Sequence, residues 1–396
     1  MASSLPLPDN LALAHSAALC AQIRREIERQ RGWISFARYM EMALYAPTVG
    51  YYTGGSSKFG TTGDFVTAPE LTSLFGQTLA HACLPWLQTY GHTIVEFGAG
   101  TGQLAADILR TLAAAGIELD RYIIVDLSGS LRARQAATLR DWPCVEWVDT
   151  LPTALRGVIL ANEVFDALPV QIFVNEATGV CERGVAVNAE GEFVWAERAA
   201  DLALSEAVAE IESMLPTPLP VGYQSELCPA ADGLIHSMAG MLEEGVICLL
   251  DYGFPRHEYY HIQRGNQGGT LMCHYRQQAH TDPFLWPGLQ DITAHVDFTR
   301  LALAANAAGL DLIGYTTQAH FLLNAGILQQ LDQIPIEDTL RYAQHSAAVQ
   351  KLLSEAEMGE LFKVMALVKD RDNPQAQEWE AEIFAGFQRG DRSHRL

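Results

Sequence analysis

The chain has 396 residues, 49% hydrophobic and 18% charged, with a formal net charge of -21. That composition excludes a disordered chain and allows a large buried core. An acidic balance without any Lys/Arg run argues against a nucleic-acid partner, and fits either a basic substrate or plain solubility.

Seven cysteines, with no C-x-x-C pair, indicate neither a disulfide framework nor a structural zinc site. The first 21 residues contain no Lys or Arg, so neither a secretory signal nor a transit peptide is read there. No apolar run approaches membrane-spanning length. The expected location is the cytoplasm.

Residues 11–31 carry Leu13, Leu19, Ile23 and Ile27 at helical spacing, and Gly32 is expected to end that helix. Ser35 then caps a second helix through Phe36, Tyr39, Met40 and Leu44, stopped by Pro47. Next come Gly50-Tyr51-Tyr52, Phe59-Gly60 and Gly63-Asp64-Phe65-Val66-Thr67-Ala68-Pro69-Glu70, glycine-rich and aromatic without clean periodicity. This reads as a long ordered loop, either functional or a packing arm. Residues 1–70 thus form an N-terminal helical region with its loop, and a helix resumes over 71–86.

The stretch from Ile94 to Phe97 is a short buried strand, broken by Gly98-Ala99-Gly100-Thr101-Gly102 and followed by Leu104, Ile108, Leu109 and Leu112 at helical spacing. Such glycines let the backbone approach a bulky ligand, and the helix start offers unpaired N–H groups. Gln103 stands where the dinucleotide fingerprint needs its third glycine, so a pyrophosphate is disfavoured. A second strand over 122–126 ends in Asp126, placed to accept from ribose hydroxyls. Glu96-x-Gly98-x-Gly100-x-Gly102, a helix, and a strand ending in acid together resemble the S-adenosylmethionine (SAM) site of class I methyltransferases. The plain alternative is a glycine connector.

Further on, the spacing predicts helices over 130–139, 224–242 and 298–308, and strands over 145–148, 157–161, 245–251, 311–316 and 362–368. This alternation implies an α/β parallel sheet, Rossmann-like, with its ligand at the carboxyl ends of the strands. Asp126, Asp149, Asn162 and Asp251 are expected to converge there. The core domain is drawn over 71–370, with inserts at about 170–222, 252–291 and 320–358, the last mostly helical. The tail, 371–396, is polar apart from a short helix near 379–387.

Three polar constellations remain. Asn162-Glu163-Val164-Phe165-Asp166 follows a buried strand, and its carboxylates either act on a nucleophile or cap local backbone. His257-Glu258-Tyr259-Tyr260-His261 matches the zinc motif H-E-x-x-H, but flanking Gly253, Pro255, Gly265, Gly268 and Gly269 leave no helix to carry it, and no metal is expected. Asp291, His295 and Asp297 crowd one segment, as caps and a structural histidine or as a substrate wall.

These blocks, together with Asp251-Tyr252-Gly253 and Asp291-Ile292-Thr293-Ala294-His295-Val296-Asp297-Phe298, resemble in order those of the MidA-like methyltransferases, whose mitochondrial member is an arginine methyltransferase and assembly factor for respiratory complex I. Ala99-Gly100-Thr101 stands where relatives often carry Pro and Arg. The resemblance implies a class I SAM-methyltransferase sheet with an antiparallel closing strand, SAM as cofactor, and a protein arginine, in a complex I subunit among others, as acceptor.

On this reading Glu96, Gly98, Gly100, Gly102, Asp126, Asp149 and Asn162 bind the cofactor. Glu163, then Asp64 and Asp297, are the candidate catalytic carboxylates, and Tyr51, Tyr52, Phe65, Thr67, Asp166 and His295 the candidate substrate contacts. A small-molecule oxygen or nitrogen acceptor is one rival, and a SAM-binding assembly protein without turnover is another.

Overall fold

The computed structural model describes residues 5–54, 67–265, 268–370, 384 and 386–396. Seven segments rich in β-branched and aliphatic residues form the continuous path of its main sheet: β1 (Thr93–Phe97), β2 (Arg121–Val125), β3 (Val145–Trp147), β4 (Leu155–Asn162), β5 (Leu242–Phe254), β6 (Asp311–Thr317) and β7 (Phe362–Lys369). Their spatial order is β3-β2-β1-β4-β5-β7-β6. Pairings among β3, β2, β1, β4 and β5 are all parallel, whereas β7 runs antiparallel to both β5 and β6. This is the class I methyltransferase sheet with its antiparallel closing strand. The strand order reverses between β1 and β4, and the crevice outside their carboxyl ends is where such sheets bind ligands.

The chain divides into two compact units, one of residues 66–165, 232–253 and 298–396, the other of residues 1–65, 166–231 and 254–297. In the first, the strands read as near-continuous apolar runs because helices cover them. Helix Ser73–Tyr90, capped by Thr72, and helix Gln103–Ala114 bury Phe75, Leu79, Trp86, Leu104 and Ile108 against sheet residues such as Ile94 and Ile124. The 320–358 insert is helical as read, with Gln318–Asn324, Ile327–Asp332 and Thr339–Leu353.

The second unit is built on antiparallel pairing. Gly179–Val187 pairs with Gln171–Glu176, Phe193–Ala199 and Ile34–Ser35, and Gln171–Glu176 pairs on with Tyr223–Leu227. Helices Asn10–Arg29, capped by Asp9, and Phe36–Tyr45, capped by Ser35 as its position predicts, supply Leu19, Ile23, Tyr39 and Met40 to its core. The first helix ends through Arg31 at φ 63° and Gly32 at φ 92°, the Gly32 N–H reaching back to Ile27 O at 2.8 Å.

One expectation changes. The helix read over 224–242 is a strand, Tyr223–Leu227, followed by helix Pro229–Met241. Pro229 explains the break, since it suits the first turn of a helix while forcing Cys228 before it toward extended backbone. The strands on either side of Gly191, Gly179–Val187 and Phe193–Ala199, form an antiparallel hairpin within a five-stranded sheet, and the helix Leu202–Ser213, capped by Asp201, follows it. Most of the tail helix read near 379–387 lies outside the described residues.

Candidate active site

Strand β1 ends at Phe97, and the chain turns through Gly98, Gly100 and Gly102 with φ of 66°, 54° and 82°, in the left-handed region that L side chains avoid. Gly98 donates its N–H to Val125 O at 3.0 Å, fixing the elbow to the end of β2. A Cβ on Gly102 would press on Gln135 Cα at 3.2 Å, and one on Gly98 on Val164 Cγ2 at 3.2 Å, whereas one on Gly100 would meet nothing within 4 Å. The elbow is therefore packed on two sides and open at Gly100. The helix Gln103–Ala114 starts behind it with N–H groups that lack intrahelical acceptors. Thr101 is tied twice, its hydroxyl donating to Glu70 and its carbonyl accepting from Thr138 Oγ1 at 2.9 Å.

Asp126, just past β2, is 7% exposed. Its Oδ1 accepts the Ser128 N–H at 2.8 Å and its Oδ2 accepts from Gln135 Nε2 at 2.7 Å. These bonds orient the carboxylate at the carboxyl end of β2, the place from which such folds meet a ribose diol. Arg132 ties the ends of β2 and β3 together, donating to Asp126 O at 2.8 Å and Val148 O at 3.0 Å and pairing with Asp149 at 2.7 Å. Asp149 itself is an exposed side chain, at 87%.

Glu96 is buried, at 2% exposure, and accepts from Tyr122 OH at 2.8 Å. Burial pushes its carboxyl up to about 7, the Tyr122 bond opposing this and neighbouring Asp126 adding to it. A folded-state value above the unfolded value of about 4.3 means that this group favours folding most at low pH, and that its contribution falls as pH rises through 7. The loss amounts to about 4 kcal/mol once the carboxylate is ionised. Glu96→Gln, which keeps the acceptor for Tyr122, is expected to flatten that slope and to melt above the unsubstituted protein near pH 8 but not near pH 5. Thermal unfolding across that range checks this, and parallel melting curves would reject it.

At the carboxyl end of β4, the switch point, Glu163 sits at φ 53°. Such backbone in a non-glycine residue costs about 1–3 kcal/mol and persists only where surroundings enforce it. They do so here through Asp251, 1% exposed at the end of β5, whose Oδ2 accepts the N–H groups of Phe165 at 2.9 Å and Val164 at 3.2 Å, and whose Oδ1 accepts that of Tyr252 at 2.9 Å. The Glu163 N–H donates to Leu250 O at 2.9 Å. Asn162 Nδ2 donates to Glu163 Oε1 at 3.2 Å, while Asn162 Oδ1 is buried without a partner among the described residues.

The other candidates belong to the second unit. Tyr52 donates to both oxygens of Asp291 at 3.0 Å and stacks on Tyr45, and burial with Asp291 beside it pushes its phenol well above the ordinary value. Tyr51 is a core residue at 1% exposure. Asp166 is buried, its carbonyl accepting the Ala294 N–H at 3.0 Å. His295 packs its ring on Phe254 and donates its N–H to Thr270 Oγ1 at 3.1 Å. Asp297 forms an ion pair with Arg256 at 3.3 Å, both side chains 7% exposed. Thr67, in the first unit, precedes the short helix Ala68–Leu71 that carries Glu70 to the elbow. Asp64 and Phe65 lie outside the described residues. The H-E-x-x-H match falls on a single turn, Arg256–Tyr259, that ends before His261, so no one helix presents both histidines.

Sequence reading did not single out Gln135, Arg132 or Glu70. Each acts across loops, 9, 6 or 31 residues from its partner, with no local pattern to mark it. Asp251 is legible in the sequence as a strand-end acid and as part of the Asp251-Tyr252-Gly253 block, but its hold on the turn after Asn162 is not.

The strand order, the open glycine elbow, the acid closing the second strand and a strained polar turn at the switch point define a class I SAM-dependent methyltransferase. The residues fit the cofactor: the elbow has room at Gly100, Asp126 is held just past β2 where such folds meet the ribose, and the orphaned Asn162 Oδ1 needs a donor such as an ammonium or hydroxyl. The family described as "Putative S-adenosyl-L-methionine-dependent methyltransferase" matches residues 78–316, and the chain belongs to it, in keeping with its MidA-like blocks. The chain is similar, at 50% identity and a TM-score of 0.90, to a crystal structure from Burkholderia thailandensis bound to S-adenosyl-homocysteine (SAH), covering 99% of this chain and 100% of that one. It is 29% identical to "Protein arginine methyltransferase NDUFAF7, mitochondrial" of Danio rerio, over 85% of this chain and 84% of that protein. The Homo sapiens counterpart is 28% identical, over 86% and 81%. SAM is the cofactor and the protein is a SAM-dependent methyltransferase.

Proposed function

We propose that this enzyme methylates an arginine side chain of a partner protein, with Glu163 holding the guanidinium. The observation that carries the reading is Glu163 itself, a carboxylate kept in strained backbone at the switch point beside the cofactor elbow. Relatives that share most of their length with this chain are named protein arginine methyltransferases, and the net charge of -21 suits a basic segment. Bound SAM supplies an electrophilic methyl group on a sulfonium. A guanidinium stays protonated at neutral pH, its pKa above about 12. Glu163 accepts its N–H groups, aims one nitrogen, and takes the proton that nitrogen releases on alkylation. Alignment of this kind supplies much of the rate in a displacement. A subunit of respiratory complex I is the first partner to test, on the family resemblance.

Incubation of the purified enzyme with methyl-labelled SAM and host lysate is expected to label a protein whose hydrolysate contains methylarginine. Label in small compounds alone, or none despite measurable SAH binding, would overturn the proposal.

A further inference from the structure

We infer that Gln135 is a positioning residue for the cofactor, bracing the ribose acid Asp126 against the glycine elbow so that both move as one part. Gln135 lies on the helix Gly129–Thr138 and is fully buried. Its amide nitrogen donates to Gly100 O at 3.0 Å and to Asp126 Oδ2 at 2.7 Å, and its amide oxygen accepts from Trp147 Nε1 at 2.8 Å. The two amide hydrogens serve two acceptors and the oxygen a pure donor, so only one orientation of the amide satisfies all three bonds. The partners come from the loop after β1, the loop after β2 and the last residue of β3.

A glutamine buried only to fill space would not need three such partners. Here the carbonyl it grips belongs to the open glycine of the elbow, and the carboxylate it grips stands where such folds meet the ribose. The backbone beneath is just as close, since a Cβ on Gly102 would lie 3.2 Å from Gln135 Cα. Without the amide, Asp126 loses the bond that couples its Oδ2 to the elbow through Gln135, and its carboxylate is oriented less firmly. Cofactor affinity should then fall while the reacting end of the site stays intact.

The inference rests on Asp126 as the ribose acid, and the experiment separates the two. SAH binding by calorimetry and steady-state kinetics would be measured for Asp126→Ala, Gln135→Met, Gln135→Glu and Trp147→Phe, with thermal unfolding as a control for folding. Gln135→Met is expected to weaken SAH about tenfold and raise the KM for SAM alike, with kcat at saturating SAM within about threefold. Gln135→Glu sets a second carboxylate against Asp126, and a proton shared by the pair would replace the lost donor. Its affinity is therefore expected to recover as pH falls from about 8 to 6, a trend absent from Gln135→Met. Trp147→Phe, which removes only the indole N–H, is expected to weaken SAH several-fold and carries the test should Gln135→Met not fold. SAH affinity unchanged in all Gln135 and Trp147 variants, with Asp126→Ala weakened, overturns the inference alone. Unchanged affinity in Asp126→Ala removes the ribose assignment and the inference with it.

Discussion

Glu163→Gln is expected to lose about 10²–10⁴ in methyl transfer while SAH binding changes by less than about threefold, in line with the usual contribution of one acid–base group. The substitution is nearly isosteric, and Gln Oε1 still accepts from Asn162, so the turn and the elbow should keep their form. What it removes is the negative charge. A guanidinium meets a carboxylate as two donors to two acceptors, whereas an amide offers one acceptor and turns an N–H toward the cation. It also removes the acceptor for the proton released on alkylation. Single-turnover transfer with labelled SAM, set beside SAH calorimetry, reads the two effects separately. Transfer at the unsubstituted rate would remove Glu163 from the mechanism and leave the site without its proposed acceptor group.

The contrast between Asp126 and Gln135 shows how much of this site a sequence carries. Asp126 is legible because β-branched residues run up to it and because its distance from the glycine elbow is that of a ribose acid. Gln135 has nothing around it but an ordinary amphipathic helix, and its role exists only once β1, β2 and β3 lie side by side. The same holds for Asp297, whose position before Phe298 suggests a cap or a catalytic acid, while folding pairs it with Arg256, 41 residues away. Buried strands such as β4 and β7 were legible from apolar runs ended by glycine or polar residues. The strand Tyr223–Leu227 was not, because Gln224, Ser225 and Glu226 look solvent-facing until Glu226 is seen to accept the Thr270 and Leu271 N–H groups in the interior. Local chemistry announces an element when that element buries its own apolar face, and is silent when distant backbone satisfies a buried polar group.

Asp251→Ala is expected to cost about 2–6 kcal/mol of folding stability, since the buried Phe165 N–H loses its acceptor at about 1–3 kcal/mol and the half-buried Val164 and Tyr252 N–H groups lose theirs at less each. The loss should not be confined to stability. Val164 and Phe165 are the residues through which Asp251 holds the turn after Asn162, and the left-handed backbone at Glu163 persists only while that turn is held. Once released, the turn can relax toward ordinary backbone and carry the Glu163 carboxylate away from its place at the switch point. Asp251→Asn separates the two consequences, because its one carbonyl oxygen can still take the Phe165 and Val164 bonds while its NH₂ faces the Tyr252 N–H. It is expected to fold at 25 °C with a smaller loss of stability and, because the turn keeps its two bonds, to hold transfer within about threefold, with SAH affinity little altered because the elbow and Asp126 lie just past β1 and β2. Denaturant unfolding, SAH calorimetry and single-turnover transfer measure the three quantities. An Asp251→Ala protein as stable as the unsubstituted one would show that the turn holds itself, and the strain at Glu163 would then need another source.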